Sequence, residues 1–573
     1  MSGMQRRCWE GRPTLSVAHH QIGFIGIRFN SVVGSRFSDS DPGRSPTRRV
    51  DAKAAARLLR PVMGDRDGSA DSGDFDGDLP SSLSNKAASG GRWAVMDTVS
   101  LQVSTTISTL VLARILLPAD FGAVAAAMVV VRMFDLLTHL GLGSSLVRRK
   151  RLDPRETSTI FWMAFGVGLL VGGLVVVFAG PLTRLIGQPE AAPLVRALAV
   201  TIPLSQARNI GLSLLLRELR FREASLIGMV ATVLYLVVAV ALAVAGFGPW
   251  SIIIGYLTRA AVSALLVLIV SGWQPNLIFD RRFISRELKF SAGSLGQRSV
   301  NYLYKNVDYW VISARLGATV LGVYYIAFVI PDLVRQRLSA IGGRVLYPVL
   351  SRIHQDKIRS RSAYLRLVRT VVFVAVPALA GISVLSETVV ALAFGDRWLA
   401  AAKPLAVLAL ASAVTSTSAL CGPLASAAGR PHVTIPAQAS GVVVLGLGLA
   451  MTVPSGDLTM ISWAVLAAAI TTSIGLYLVT GPLIALTLGR LVTELIPVIA
   501  PTLVMYVSLW LIRDAVTARL ATLPAAIVLV SVGVLIYVAL SWVFFRQAFT
   551  EQLRSVRTFL NPRLSAAERG TGS

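Results

Sequence analysis

The sequence is dominated by apolar stretches of about twenty residues that recur from Trp93 onward with only short polar breaks. That is the length an α-helix needs to cross the ~30 Å hydrocarbon core of a bilayer. Fourteen such stretches are found, at about 93–117, 121–147, 158–180, 194–216, 224–245, 249–272, 290–316, 321–350, 370–394, 404–428, 433–453, 458–479, 491–512 and 523–545. The expected fold class is an all-α polytopic membrane protein. Composition agrees, with 54% hydrophobic and 15% charged residues against about 25% charged in an ordinary soluble domain.

The chain carries 55 Lys+Arg against 30 Asp+Glu, a formal charge of +25, which in a soluble protein would suggest a nucleic-acid partner. The location of the cations points elsewhere. An excess of Lys/Arg in short loops marks the cytoplasmic side. With the N-terminus inside, twenty-five cations fall in cytoplasmic connections and the C-terminal tail, including Arg148–Arg151, Arg217, Arg281, Arg361, Arg366 and Arg369. Only six (Arg184, Arg315, Arg397, Lys403, Arg513 and Arg519) fall outside. Both termini are therefore expected in the cytoplasm, with the basic face against anionic lipid and no nucleic acid involved.

Residues 1–90 carry no long apolar run, and from Asp39 to Gly90 they are rich in Ser, Gly, Asp and Arg, with too little apolar surface to offset the entropy of ordering the chain. They are expected to be a disordered cytoplasmic tail or a misassigned start, Met63 being the alternative. At the other end, residues 546–573 form a basic tail. There Phe545, Phe549, Leu553, Val556 and Leu560 recur at helical spacing around Arg554 and Arg557, consistent with an interfacial helix or a solvated tail.

The membrane part repeats itself. Ala113-Arg114-Ile115-Leu116, a turn and Phe121-Gly122-Ala123-Val124 return about 200 residues later as Ala314-Arg315-Leu316-Gly317, a turn and Leu321-Gly322-Val323-Tyr324. The offset is six spans. The expected organisation is a first six-helix lobe over 91–272, a second over 273–480, and an additional helix pair over 481–545. Repeat interfaces are where transporters place their substrates, which predicts a central cavity between the lobes.

Charged residues inside the spans are expensive in hydrocarbon and are candidate functional groups. Residues at i, i+3 and i+7 share a helix face. Span two has Arg132, Asp135 and His139 in this pattern; span seven has Arg298, Asn301, Lys305 and Asp308; span eight has Asp332, Arg335 and Ser339. Span one adds Asp97, Ser100, Ser104 and Ser108. These four stripes fit one aqueous cleft. The alternative is that pairs such as Arg132 with Asp135, or Lys305 with Asp308, only hold helices together. A cleft with surplus positive charge favours an anion, and the arginine fork suits phosphate.

Signals for catalysis are missing. The five histidines lack metal-ligand spacing, Cys8 and Cys421 lie in different regions, and no Gly-x-x-x-x-Gly-Lys loop or Gly-x-Ser-x-Gly elbow occurs. The chain is therefore expected to be no enzyme, with no metal or cofactor.

Several stretches carry a family resemblance: Leu215-Leu216-Arg217-Glu218-Leu219-Arg220-Phe221-Arg222, Gly246-Phe247-Gly248-Pro249-Trp250, Pro275-Asn276-Leu277-Ile278-Phe279-Asp280, Leu288-Lys289-Phe290-Ser291-Ala292-Gly293, Asn306-Val307-Asp308-Tyr309-Trp310 and Leu346-Tyr347-Pro348-Val349-Leu350-Ser351-Arg352. Over about residues 91–546 the chain resembles the polysaccharide transport family, the Wzx-like flippases of the multidrug/oligosaccharidyl-lipid/polysaccharide exporter superfamily. The resemblance implies two six-helix lobes around a cavity and movement of undecaprenyl-diphosphate-linked oligosaccharide repeat units across the bacterial inner membrane. It also implies a polysaccharide polymerase and a chain-length regulator as partners. The stripes then nominate Arg132, Arg298, Lys305, Arg335 and Asn301 for the head group, Arg114 and Arg315 near the outer mouth, and Asp97, Asp135, Asp308 and Asp332 for charge balance or ion coupling. A drug or cation exporter would favour an acidic cavity, and a polymerase or ligase a large periplasmic loop. A lipid II flippase shares the charge logic, and only the resemblance argues against it.

Overall fold

The computed structural model describes residues 104–138, 154–276, 281–353 and 356–560. Side chains are described throughout these stretches except at 154, 281–298, 337–345, 347–349, 351–352 and 554–560. The expected N-terminal tail, Asp97, Ser100 and His139 lie outside the described residues, as do the side chains of Arg298 and Ser339.

Every regular element among the described residues is helical. The first lobe comprises α1 (Ser104–Ile115), α2 (Pro118–Thr138), α3 (Pro154–Leu185), α4 (Ala192–Ala199), α5 (Thr201–Arg217), α6 (Phe221–Val244) and α7 (Pro249–Ser271). The second begins with α8 (Arg281–Ile353) and continues through α9 (Lys357–Val384), α10 (Ser386–Phe394), α11 (Ala402–Ser418), α12 (Cys421–Ala427), α13 (Ile435–Thr452) and α14 (Leu458–Thr480). Beyond them lie α15 (Leu488–Thr517), α16 (Thr522–Phe544) and α17 (Arg546–Leu560).

Eleven helices among the described residues are long and apolar enough to cross a membrane. The expected fourteen do not appear as fourteen separate long helices, for three local reasons. The first span is described only from Ser104. The fourth is divided at Val200 into α4 and α5, both short; Pro203 just beyond lacks the N–H that would continue the ladder. The seventh and eighth run together in α8, broken only at Gly317, whose φ of +86° and ψ of 176° fall where a side chain is disfavoured. Large apolar side chains such as Leu170, Val177, Ile269, Leu511 and Leu535 are more than half exposed, as expected of surfaces that face lipid.

The ninth span starts earlier than its hydropathy suggests. Asp356 caps α9, its Oδ1 accepting from the backbone N–H of Ile358 and Arg359 at 3.0 Å each. Arg361, Arg366 and Arg369, expected in a loop, therefore lie on the opening turns of α9. Met505, Leu509, Leu529 and Tyr537 of α15 and α16 pack on Ala380 and Val384 of α9. The C-terminal segment is helical as α17 and packs on the bundle, with Phe549 buried 5.8 Å from the ring of Phe373.

The lobes meet through the two copies of the repeated motif. A Cβ on Gly122 would lie 1.7 Å from Ala318 O, and one on Gly322 would lie 1.8 Å from Pro118 O. Only glycine lets these backbones approach so closely, as in the small-residue contacts of membrane helices. The flanking contacts repeat with the same symmetry. In one half, Ser313 Oγ donates to Ile186 O (3.0 Å) and Gln188 Nε2 donates to Ser313 O (3.2 Å), beside Gly187 at φ +68°. In the other, Trp398 Nε1 donates to Ala113 O (2.8 Å), while Arg114 Nη2 and Nε donate to Leu392 O (2.5 Å) and Ala393 O (3.4 Å), beside Gly395 at φ +91°. This seam sits at the end opposite the basic loops.

Candidate functional site

Between the seam and the basic ends the lobes enclose a cavity of about 880 Å3. Among the described residues, eight helices line it: α1, α2, α7, both arms of α8, α11, α12, α13 and α14. Along α2 it extends from Ala125 to Leu136, roughly 16 Å at ~1.5 Å rise per residue.

Of the residues singled out by spacing, Arg132, Asp135, Asn301, Lys305, Asp308, Asp332 and Arg335 all line this cavity. Helical periodicity placed each stripe on one face, and lobe packing turned those faces together. Arg335 and Asp332 form an ion pair, and Gln336 Nε2 also donates to Asp332. Asp308 is 3% exposed and bonds Tyr324, not Lys305: Tyr324 OH donates at 2.6 Å and the Tyr309 N–H at 2.9 Å. Those two bonds offset the cost of burying its polar atoms. Lys305 is exposed to the cavity and lies within 4 Å of no carboxylate among the described residues. Asp135 accepts from Ser205 Oγ at 3.1 Å and Thr138 Oγ1 at 3.4 Å.

Other nominated residues are elsewhere. Arg114 is outside the cavity lining and holds the seam, where the carbonyl end of α10 attracts a cation. Arg315 is exposed and also outside the lining. Of the span-one stripe, the described Ser104 and Ser108 lie outside the lining: Ser108 is buried and donates to Ser104 O at 2.6 Å. Thr105, Thr106 and Thr109 face the cavity instead.

Further lining residues fall outside the charge stripes read from the sequence. Tyr256, Tyr302, Tyr304, Tyr309 and Tyr325 make much of the wall aromatic; Tyr302 OH reaches across the lobes to Val129 O at 2.5 Å. Ser412, Thr415, Gln438 and Thr472 add hydroxyl and amide groups from the second lobe, and Gln438 Oε1 is buried with no hydrogen-bond partner among the described residues. A recess of about 230 Å3 in the first lobe shares Arg132, Asp135 and Tyr256 with the cavity and adds Arg208 and Arg259. Cavity and recess together contain five cationic and three carboxylate side chains among the described residues.

Two helical lobes closed over an internal charged cavity define a multi-pass membrane protein of transporter architecture. Known structures share it. The inward closed conformation of the lipid II flippase MurJ aligns over 79% of this chain and all of its own, with a TM-score of 0.67 at 14% identity. An inward-facing multidrug resistance MATE family transporter of the MOP superfamily aligns over 67% of this chain and 94% of its own, with a TM-score of 0.55 at 15% identity.

Sequence comparison goes further. Residues 111–403, half of the chain, match the model of the family described as polysaccharide biosynthesis protein, and the chain belongs to that family. The succinoglycan biosynthesis transport protein ExoT of Rhizobium meliloti (strain 1021) is 31% identical over 323 residues, 56% of this chain and 65% of ExoT. The lipopolysaccharide biosynthesis protein WzxC of Escherichia coli (strain K12) is 29% identical over 361 residues, 62% of this chain and 72% of WzxC. The match thus spans just under two thirds of ExoT. These relatives bear out the resemblance to the polysaccharide transport branch.

Proposed function

We propose that the protein is a flippase that moves undecaprenyl-diphosphate-linked oligosaccharide repeat units across the inner membrane for exopolysaccharide, capsule or O-antigen synthesis. The observation that carries this is the cavity: a cationic, tyrosine-walled chamber closed at one end by the repeat seam, in a chain related to polysaccharide transport proteins. A diphosphate bears negative charge that hydrocarbon rejects. Arg132, Lys305 and Arg335, with Arg298 and Asn301 on the same stripe of α8, supply cations and donors to replace its water. Tyrosine rings offer flat apolar faces with a hydroxyl edge, suited to sugar rings. The polyprenyl chain stays in the bilayer.

Transport is by alternating access. With the seam closed, the head group enters from the basic side, which is the cytoplasm and holds both termini. The lobes then rock apart at the seam, and release follows on the far side. Only cargo that binds the two states differently biases that equilibrium. Asp135, Asp308 and Asp332, with Asp97 on span one, balance the cations or carry a coupling ion. The protein carries out no covalent chemistry and hands its cargo to a polymerase working with a chain-length regulator.

A deletion strain tests this directly. Complete repeat units stalled on the cytoplasmic leaflet, with loss of polymer, support the flippase. Complete units reaching the periplasmic face unpolymerised refute it and move the defect to a later, enzymatic step. An Arg298→Ala variant should insert normally and fail to export; normal export would remove Arg298 from the site.

A further inference from the structure

A second charged cleft lies away from the cavity, where α9, α15 and α17 converge at the basic end of the molecule. Its volume is about 470 Å3, and its walls include Arg361, Arg366 and Arg369 of α9, Arg490 and Glu494 of α15, and Glu551 of α17. Four guanidinium groups thus face two carboxylates. Glu494 is engaged by both Arg369 and Arg490, the latter with Nε at 3.9 Å. Arg361 Nη1 donates to Ala485 O at 3.1 Å.

What remains is cationic and underbonded. Arg369 Nε is buried with no hydrogen-bond partner among the described residues. The Arg366 guanidinium is exposed to the cleft and makes no ion pair or hydrogen bond with a described residue. A solvated basic face would leave its arginines splayed in water, each at little energetic gain. Here the walls are built. Arg369 and Glu494 are only 26% and 22% exposed, and Gln552 of α17 is 4% exposed, accepting from Thr370 Oγ1 at 3.4 Å. Phe549, buried on Phe373, holds α17 in place as the third wall. A guanidinium fork donates pairs of parallel hydrogen bonds matched to phosphate oxygens.

We propose that this cleft binds a phosphate-bearing anion, supplied either by the head group of an anionic phospholipid or by a soluble phosphate. The site is separate from the cargo cavity and does not depend on what that cavity carries. Bound there, the anion ties α17 and the additional helix pair to α9 of the second lobe.

The test uses the purified full-length chain in phosphatidylcholine nanodiscs, with either rising fractions of phosphatidylglycerol or added inorganic phosphate. The melting temperature is the readout, and native mass spectrometry counts retained lipid. One probe should raise the melting temperature saturably. In the Arg366→Gln/Arg490→Gln double variant, which leaves the Arg369–Glu494 pair intact, its apparent affinity should fall about tenfold or more, the loss expected when charge-assisted hydrogen bonds worth ~1.5–3 kcal/mol are removed. An effect of phosphatidylglycerol alone identifies a lipid head group, and an equal effect of inorganic phosphate identifies a soluble anion. The proposal is overturned if neither probe acts. It is equally overturned if the double variant responds like the wild type, or if Arg430→Gln on another basic loop lowers the response as much, since that marks diffuse surface attraction.

Discussion

The glycine seam makes a prediction whose size can be worked out from the backbone. In Gly322→Ala the new Cβ would stand 1.8 Å from Pro118 O and 3.0 Å from Gly122 N. Both are main-chain atoms, so no rotamer change relieves the clash. Restoring an ordinary C···O separation of about 3.3 Å requires α2 and the second arm of α8 to part by about 1.5 Å. Overpacking of this kind costs about 1–3 kcal/mol, which disfavours the closed seam by roughly 5- to 150-fold. The opposing effect is small: alanine gains about 0.5–1 kcal/mol over glycine within a helix. Seam opening can be read at Ser313, which is 2% exposed. A Ser313→Cys reporter, in a chain whose Cys8 is replaced by Ser and whose Cys421 is fully buried, would be treated in intact cells with a membrane-impermeant maleimide. Adding Gly322→Ala should raise its labelling rate several-fold or more and depress polysaccharide export. An unchanged labelling rate with normal export would refute the seam as the closing contact.

Other substitutions separate the seam from the cavity. Arg114→Ala removes two hydrogen bonds to carbonyls of α10 and should also speed labelling of the Ser313→Cys reporter, by about tenfold for bonds worth ~1.5 kcal/mol, whereas a head-group role for Arg114 would lower export with no change in labelling. Asp308→Asn keeps the shape of the buried side chain but removes its charge; export should fall at least about tenfold while the amount of inserted protein holds, and full export would exclude Asp308 from coupling. Tyr324→Phe leaves Asp308 without its 2.6 Å donor and should lower thermal stability by about 1–3 kcal/mol, seen as a reduced melting temperature in detergent. Arg335→Lys retains charge but loses the planar fork, so export should remain impaired; rescue by lysine would mean that charge alone is recognised.

Much of this organisation is legible in the sequence because hydrocarbon is an unforgiving solvent. Arg132, Asp135, Lys305, Asp332 and Arg335 stand out where nearly every neighbour is apolar, and helical periodicity turns each set toward one face. The tyrosines of the wall carry no such mark, since hydropathy does not separate a cavity-facing Tyr256 from a core-facing Tyr324. Arg208 and Arg259 are visible as cations inside apolar spans, yet only packing brings them together with Arg132. The role of Arg114 depends on carbonyls nearly 280 residues away, beyond any local pattern. On α9 the arginines looked like loop residues because the helix start is set by a hydrogen-bonded cap at Asp356, and a cap in a polar segment leaves no trace in hydropathy. The repeat motif was visible as repetition, but its two glycines meeting each other is a property of the paired lobes.

The seam and the cavity obey different symmetries. Closure is made by two copies of one motif, each answering the other, so a change in either glycine must be matched across the interface. The chamber has no such constraint: the first lobe contributes Arg132 and Asp135, while the second contributes Lys305, Asp308, Asp332 and Arg335. In the proposed transport cycle the seam is therefore the constrained part and the chamber the replaceable lining. Relatives that keep the paired glycines can diverge in cargo by altering wall residues alone, and chamber residues exchanged between them should change what is carried without disabling the door.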